Sequence, residues 1–382
     1  MLGTPPRDAD ALGDSSPRVR VAHIVETVRS GGAETVVREL CGALGRHGVD
    51  ATIVSIYDPN LDAEQRAALG VPLVEIGRKG RYDVGFFSRL VAALEALEPD
   101  VAHVHLHAGK YAGRMAAIAA GVPSIVLTEH GDDRDDPLRA AVRSFLNPRT
   151  TRFIALTYTQ RRALAISERV PLERIEVIPN GVGVTQAPSR ARTRLALAIP
   201  AQARALYLPA RLCSQKNQAL AVRALALAAA NGRADWMLVL AGTGPDEPSL
   251  RRLVRALGIR DRVRFLGYRP DAPALHAAMD AFLMPSLWER MPLALGEAML
   301  ANVPVVTAPW EGHGEFVLDG ATGFVSADWS ATALCSAIAR ALDPDQRAPV
   351  VAAARQRAER RFDFATTVRS HAALYRRLAA GA

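Results

Sequence analysis

The stretch VRVAHIVETVRSGGAETVVRELCGALGRHGVDATIVSIY, Val19 to Tyr57, is the one whose reading sets the fold. VRVAHIV is a nearly unbroken apolar run, as expected of a strand covered on both faces. TVRSGGAE follows as a glycine loop, TVVRELCGALGRHG as a helix stopped by Gly48, and VDATIVSIY as a second strand. Strand, loop, helix and strand in that order predict a parallel sheet with helical crossovers.

The alternation continues through VAHVHLH, a helix from about Tyr111 to Ala120, PSIVLTEH, FIALT and RIEVIPNG. It breaks between Val182 and Gln202, where VTQAPSRARTRLALAIPAQAR offers two prolines and few strand features. A second series then runs through ALYLPARL, WMLVLAGTG, VRFLG, AFLMPS and VPVVTA, with helices between them. The expected class is α/β, with two Rossmann-like doubly wound domains, residues 18–182 and 203–360, joined across 183–202. Residues 361–382 are expected to form a helix returning to the first domain, and residues 1–17 a disordered leader. Two such domains place a ligand cleft at the carboxyl ends of their strands.

The chain of 382 residues is long for one core, and its 49% apolar content is that of a globular protein. The formal charge of +8 suits phosphate or an anionic membrane, but no basic run interleaved with aromatics marks a nucleic-acid platform. Cys41, Cys213 and Cys335 are scattered, which argues against a disulfide framework and for a reducing, cytoplasmic setting. The leader has no apolar core of the signal-peptide kind, and MAAIAAGVPSIVLT is too short to span a bilayer.

In PSLWERMPLALGEAMLANVPVV, Glu289 falls in a loop after a strand and Glu297 lies one and a half turns into the next helix. A carboxylate there can accept two hydrogen bonds from a vicinal diol; local capping and an exposed helical position explain the same residues. ARLCSQKN sets Arg211 beyond a strand, with Lys216 and Asn217 at a helix start, where cations gain nothing from the helix dipole. A pyrophosphate would reconcile them. AGTGPDE adds Gly242 and Gly244, which allow a tight turn near a ligand, but it lacks both the dinucleotide fingerprint and the P-loop ending. HGEFVLDGATGF, with Gly314 and Glu315, reads equally as a backbone N–H cradle or as a turn and short hairpin.

His103, His105 and His107 alternate along one strand face. Same-face neighbours stand roughly 6–7 Å apart, too far to share an ion without bending, so no metal site is expected. His103 is better read as a hydrogen-bonded core histidine, with His105 and His107 nearer the cleft. His130, in TEHG, ends the next strand at the same edge, where an imidazole can orient a sugar hydroxyl. Asp132 and Asp133 can cap or transfer protons. Gly31 and Gly32 of SGGAE permit close approach of an acceptor or phosphate, or a structural turn.

Taken together, SGGAE, HVHLHAGKYAG, TEHG, IPNGV, ARLCSQKN, AGTGP, FLG and PSLWERMPLALGEAM followed by NVPVV resemble the retaining GT-B glycosyltransferases of the family 4 type. The resemblance covers nearly the whole chain beyond the leader and is strongest in the second half. It implies a nucleotide-sugar donor on the second domain and an acceptor on the first. Arg211 and Lys216 would hold the donor diphosphate, Glu289 the transferred sugar, Glu297 the ribose hydroxyls, and His130 would lie near the reacting carbon. Gly31 and Gly32 would line the cleft. The implied reaction retains anomeric configuration, transfers a hexosyl group to a hydroxyl acceptor such as a polyprenyl diphosphate-linked sugar, and needs no obligatory metal. The chain departs from the family pattern at Ala210 and Arg290, where glycine is usual. Arg290 adds bulk and charge beside the expected donor sugar. A nucleotide-sugar epimerase of the same fold and a non-catalytic nucleotide-sugar sensor or scaffold are the alternatives.

Overall fold

The structure is a computed structural model and describes residues 17–28, 32–57, 61–80, 82–105, 109–129, 137–183 and 188–381. The first sheet contains β1 (Val19–Val25), β2 (Val49–Ser55), β3 (Leu73–Glu75), β4 (Val101–His105), β5 (Ser124–Thr128), β6 (Arg152–Ala155) and β7 (Ile175–Val177). All are parallel, in the order β3-β2-β1-β4-β5-β6-β7. The second sheet contains β8 (Arg204–Pro209), β9 (Trp236–Ala241), β10 (Val263–Phe265), β11 (Ala281–Met284), β12 (Val305–Thr307) and β13 (Phe324–Val325). It too is parallel, in the order β10-β9-β8-β11-β12-β13.

Both faces of each sheet are covered, which accounts for the continuous apolar runs. Along β1, Val21 and Val25 pack with Leu40, Leu44 and Tyr375, while Ala22 and Ile24 pack with Leu90, Leu94 and Phe153. β8 divides its side chains in the same way, Leu206 and Leu208 to one core, Ala205 and Tyr207 to another. In each sheet the strand order reverses beside the first strand, between β1 and β4 and between β8 and β11. The loops leaving those strands open a crevice at their carboxyl ends. The architecture is two Rossmann-like lobes facing across a cleft, the GT-B arrangement that the sequence resemblance implies.

The chain passes between the lobes twice, and the two passages touch. Val182 N–H donates to Phe362 O at 3.0 Å, and Val182 bridges to Asp363. Gly181 makes this contact possible, since a Cβ there would lie 2.2 Å from Phe364 Cα. After the second passage the helix Phe364–Ala379 packs on the helix Gly32–Leu44 and on β1 and β4.

The segment around Glu315 keeps the turn of its second sequence reading but not the hairpin. His313–Glu315 is a 3-10 turn, and β13 joins β12 in parallel, not as a hairpin. The Glu315 carboxylate crosses to the first lobe, accepting hydrogen bonds from Tyr158 N–H at 3.0 Å and Thr159 N–H at 2.7 Å, and pairs with Arg361 at 2.7 Å. Among the described residues no helix is long and apolar enough to cross a membrane.

Candidate active site

The second-domain wall is assembled from three loops. The β9 loop closes on the β8 loop so tightly that a Cβ on Gly242 or Gly244 would lie 2.1 Å from Ala210 O or Leu212 O. Gly242 also has φ +137°, which favours glycine. The close approach these glycines permit is therefore to the chain's own backbone, sealed by Leu212 N–H to Thr243 O at 3.0 Å and Asp246 N–H to Leu212 O at 3.1 Å. Gln218 Nε2 donates to Arg211 O at 2.9 Å, fixing the arginine backbone while its side chain stays exposed.

Residues Ser214–Lys216 form a 3-10 turn, and Asn217, at φ 49°, makes the left-handed corner into the helix Gln218–Ala230. That corner carries Lys216 toward the loop after β11. Lys216 Nζ donates to both oxygens of Glu289, at 2.7 and 2.9 Å, and Ser286 Oγ donates to Oε1 at 2.6 Å. Two further bonds tie the loops together, Leu287 N–H to Gln215 O at 2.8 Å and Gln215 Nε2 to Trp288 O at 3.0 Å. Glu289 is therefore a buried, charge-paired carboxylate rather than a helix cap. The one sequence signal for Ser286 is its place three residues before Glu289, the spacing of a tight turn.

A cavity of about 870 Å³ separates these loops from the first domain. Its polar wall on the second domain includes Arg211, Lys216, Glu289 and Arg290, together with the backbone of Gly242 and Gly244. The first domain contributes Gly32, Ala33, Glu34, Leu156 and Asn180. Gly32 stands close to the other wall, its hypothetical Cβ 3.6 Å from Leu293 Cδ1. Burial, with Glu26 nearby, lifts the Glu34 carboxyl above its ordinary range against a bond from its own backbone N–H. Among the described residues no cation pairs with Glu34, and no carboxylate pairs with Arg211.

Asn217 and Glu297 are not among the groups lining this cavity. Glu297 lies on the helix Leu293–Leu300, three and four residues beyond the lining Ala294 and Leu293, so it continues their face. Gly31, His107, His130, Asp132 and Asp133 lie outside the described residues. Glu129, next to His130, is described: its carboxylate receives Lys110 Nζ at 2.7 Å, and the same ammonium reaches Glu168 at 3.2 Å. Arg143 completes the network on Glu168 at 2.7 Å.

His23, His103 and His105 form a core, not a wall of the cleft. β1 pairs with β4 in the register His23↔His103, which brings His23 beside the β4 histidines. His103 accepts or donates at both ring nitrogens, to Tyr375 OH at 2.6 Å and Thr128 Oγ1 at 2.7 Å, in line with its expected core role. His105, expected nearer the cleft, is instead buried against His23, 3.1 Å between ring nitrogens. His23, His103 and His105 have ligand atoms within 4.8 Å of one another. A metal would have to displace His103 from two good hydrogen bonds, so the cluster fits an ion poorly.

Sequence profiles of known families match both halves. Residues 30–186 match Glycosyltransferase Family 4 and residues 189–358 match Glycosyl transferases group 1. The chain is 31% identical over 240 residues to the UDP-Gal:alpha-D-GlcNAc-diphosphoundecaprenol alpha-1,3-galactosyltransferase of Escherichia coli, spanning 59% of this chain and 62% of that enzyme. It is 29% identical to the D-inositol 3-phosphate glycosyltransferase of Acidothermus cellulolyticus, across 91% of this chain and 86% of that one. The crystal structure of Anabaena HepE in complex with UDP and glucose shares the fold at a TM-score of 0.81 and 22% identity, covering 94% of this chain and 99% of HepE. With two facing Rossmann-like lobes and a family profile on each, the chain is a GT-B glycosyltransferase of the family 4 and group 1 superfamily.

Proposed function

We propose that the protein is a retaining hexosyltransferase that moves a sugar from a nucleoside diphosphate to a hydroxyl of a lipid-linked glycan, such as a polyprenyl diphosphate-linked sugar. The observation carrying this reading is the Lys216–Glu289 pair beside Arg211 in one cavity wall. An ammonium has three donor hydrogens, so Lys216 can hold Glu289 and still reach a phosphate oxygen. Arg211 adds a planar guanidinium suited to phosphate. These cations stabilise charge developing on the departing diphosphate, without an obligatory metal. Glu289 then contacts the sugar and Glu297 the ribose, with Gly242 and Gly244 backbone alongside and Asn217 shaping the lysine turn.

The acceptor occupies the domain spanning 18–182 and the donor that spanning 203–360, with 183–202 and the helical 361–382 as the two passages between them. Gly31, Gly32 and His130 complete the first wall near the reacting carbon. Substitution proceeds on one face of the sugar, the leaving phosphate taking the acceptor proton. The UDP-bound HepE structure and the diphosphoundecaprenol named for the Escherichia coli relative support the donor and acceptor classes. The setting is cytoplasmic, with peripheral contact to an anionic membrane, for which the net positive charge is suited.

Calorimetric titration with UDP, GDP, ADP and TDP, with and without magnesium, tests the donor site. One diphosphate is expected to bind preferentially and without metal, and Arg211→Ala and Lys216→Ala each to weaken it about tenfold or more. Absence of binding to all four by folded wild type overturns the assignment.

A further inference from the structure

His276 is fully buried, yet neither of its ring nitrogens has a hydrogen-bond partner. Its ring is enclosed by Tyr207, edge-on with centroids 5.1 Å apart, and by Phe282 at 5.5 Å. Phe282 lines the cavity, so His276 stands one layer behind its wall. An imidazole serving only to fill space would be better replaced by an apolar ring, because a buried, unpartnered N–H is costly. The nearest charge is Glu297, its Oε2 lying 3.6 Å from His276 Nε2. That separation exceeds a hydrogen bond by a few tenths of an ångström, and a small rotation of Glu297 closes it.

Glu297 needs such a donor. Its carboxylate is 21% exposed, and the Glu39 carboxylate, on the first-domain helix, is near enough to feel its charge. Burial chiefly, with Glu297 adding to it against Arg38, raises the Glu39 carboxyl above its ordinary range. Like charges at this boundary give Glu297 no fixed orientation of their own. An imidazole N–H at Nε2 would supply one.

We propose that His276 is a positioning residue, which grips Glu297 from behind and holds its remaining lone pairs toward the cleft for a vicinal diol. A carboxylate has about four lone-pair sites, enough for one imidazole N–H and two hydroxyl groups. The diol is the ribose of the donor nucleotide, so the inference rests on the donor-site reading above. His276 touches neither the diphosphate nor the reacting carbon and acts through Glu297.

The experiment compares the preferred nucleoside diphosphate with its 2′,3′-dideoxy counterpart by calorimetry. Wild type, His276→Phe, His276→Gln, Glu297→Gln and the His276→Phe/Glu297→Gln double variant are titrated, each with its melting transition checked. His276→Phe is expected to weaken the ribonucleotide about tenfold and the dideoxynucleotide less than about twofold. His276→Gln, which keeps an N–H donor, should recover part of the loss, and His276→Phe should add little once Glu297→Gln is present. Equal weakening of both nucleotides, or an unchanged ribonucleotide affinity in both His276 variants, overturns the inference while leaving the donor site standing. If His276→Phe does not fold, His276→Gln decides by the same ribose-to-dideoxy ratio. Absence of nucleotide binding by folded wild type overturns the donor reading and this inference together.

Discussion

Lys110 meets Glu129 at 2.7 Å in the first domain, and Lys216 meets Glu289 at the same distance in the second. Both pairs sit at the carboxyl edge of a parallel sheet. Their surroundings differ. The Lys110 side chain is 3% exposed and reaches a second carboxylate, Glu168, which also holds Arg143. The Lys216 side chain is 23% exposed and opens on the cavity. In the first domain, burial alone would lower the lysine and raise the glutamate, but Glu129 and Glu168 outweigh it on Lys110, and Lys110 and Arg143 on Glu168. A sealed, mutually satisfied network holds architecture; a pair with spare donors facing a cavity can exchange partners with a ligand.

Substituting each lysine separates these roles most sharply. Lys110→Met takes the shared ammonium from two buried carboxylates, leaving Arg143 on Glu168 and the charge of Arg114 nearby, and should cost about 3–5 kcal/mol of stability. Chemical denaturation measures it directly. Lys216→Met should cost only about 1–2 kcal/mol, because Ser286 still donates to Glu289 and the lost ammonium is itself partly exposed at the cavity, while turnover falls on the order of 100-fold through lost charge stabilisation. Equal stability losses would erase the contrast between the two pairs.

Acid provides the next test, again aimed at the sealed region. Burial pushes His23 down to about 3, with His371 adding to the effect, and pushes His371 down to about 4 against a bond to Thr367 O. Both folded values lie below the ordinary 6.5, so protons favour the unfolded chain. Stability from these groups is complete above pH 6.5 and is lost as pH falls from there toward the folded values. Two such groups should remove about 2 kcal/mol between about pH 6.5 and pH 5.5. Urea unfolding across that window should show a slope approaching two protons, and His371→Gln should halve it. A flat profile would mean that the histidine core takes up protons without unfolding.

The contrast between these regions also shows what local sequence reveals. VRVAHIV and WMLVLA are apolar on both faces, and that pattern alone identifies central parallel strands. The cavity-wall residues Arg211, Lys216 and Glu289 stand in loops following such strands, where position along the chain gives their edge of the sheet. The two-residue β13 and the three-residue β3 are too short for any period to register. His23 joins His103 only through strand register across 80 positions of chain, and Glu168 reaches Lys110 across 58. Such pairings depend on the assembled topology and leave no periodic trace. Glu289 stands out as an unusual carboxylate in an apolar context, whereas its pairing with Lys216 depends on two loops being zipped together across 73 positions of chain.

Glu315, which is not among the residues lining the cavity, predicts the smallest effect. Burial favours its neutral form, but hydrogen bonds from Thr159 and Tyr158 and the charge of Arg361 hold its carboxyl below the ordinary range. It therefore serves as a charged cap on the helix Tyr158–Ser167, supplied by the opposite domain. A carboxylate at a helix N-terminus gains from the free N–H groups and the dipole together, so Glu315→Ala should cost about 1 kcal/mol. Glu315→Gln keeps an acceptor oxygen and should lose less. Neither substitution touches a group lining the cavity, and nucleotide affinity should change by less than about threefold. A loss of nucleotide binding in Glu315→Ala as large as that in Lys216→Ala would make this contact part of the binding site, because closure of the two domains would then be a condition of donor binding itself.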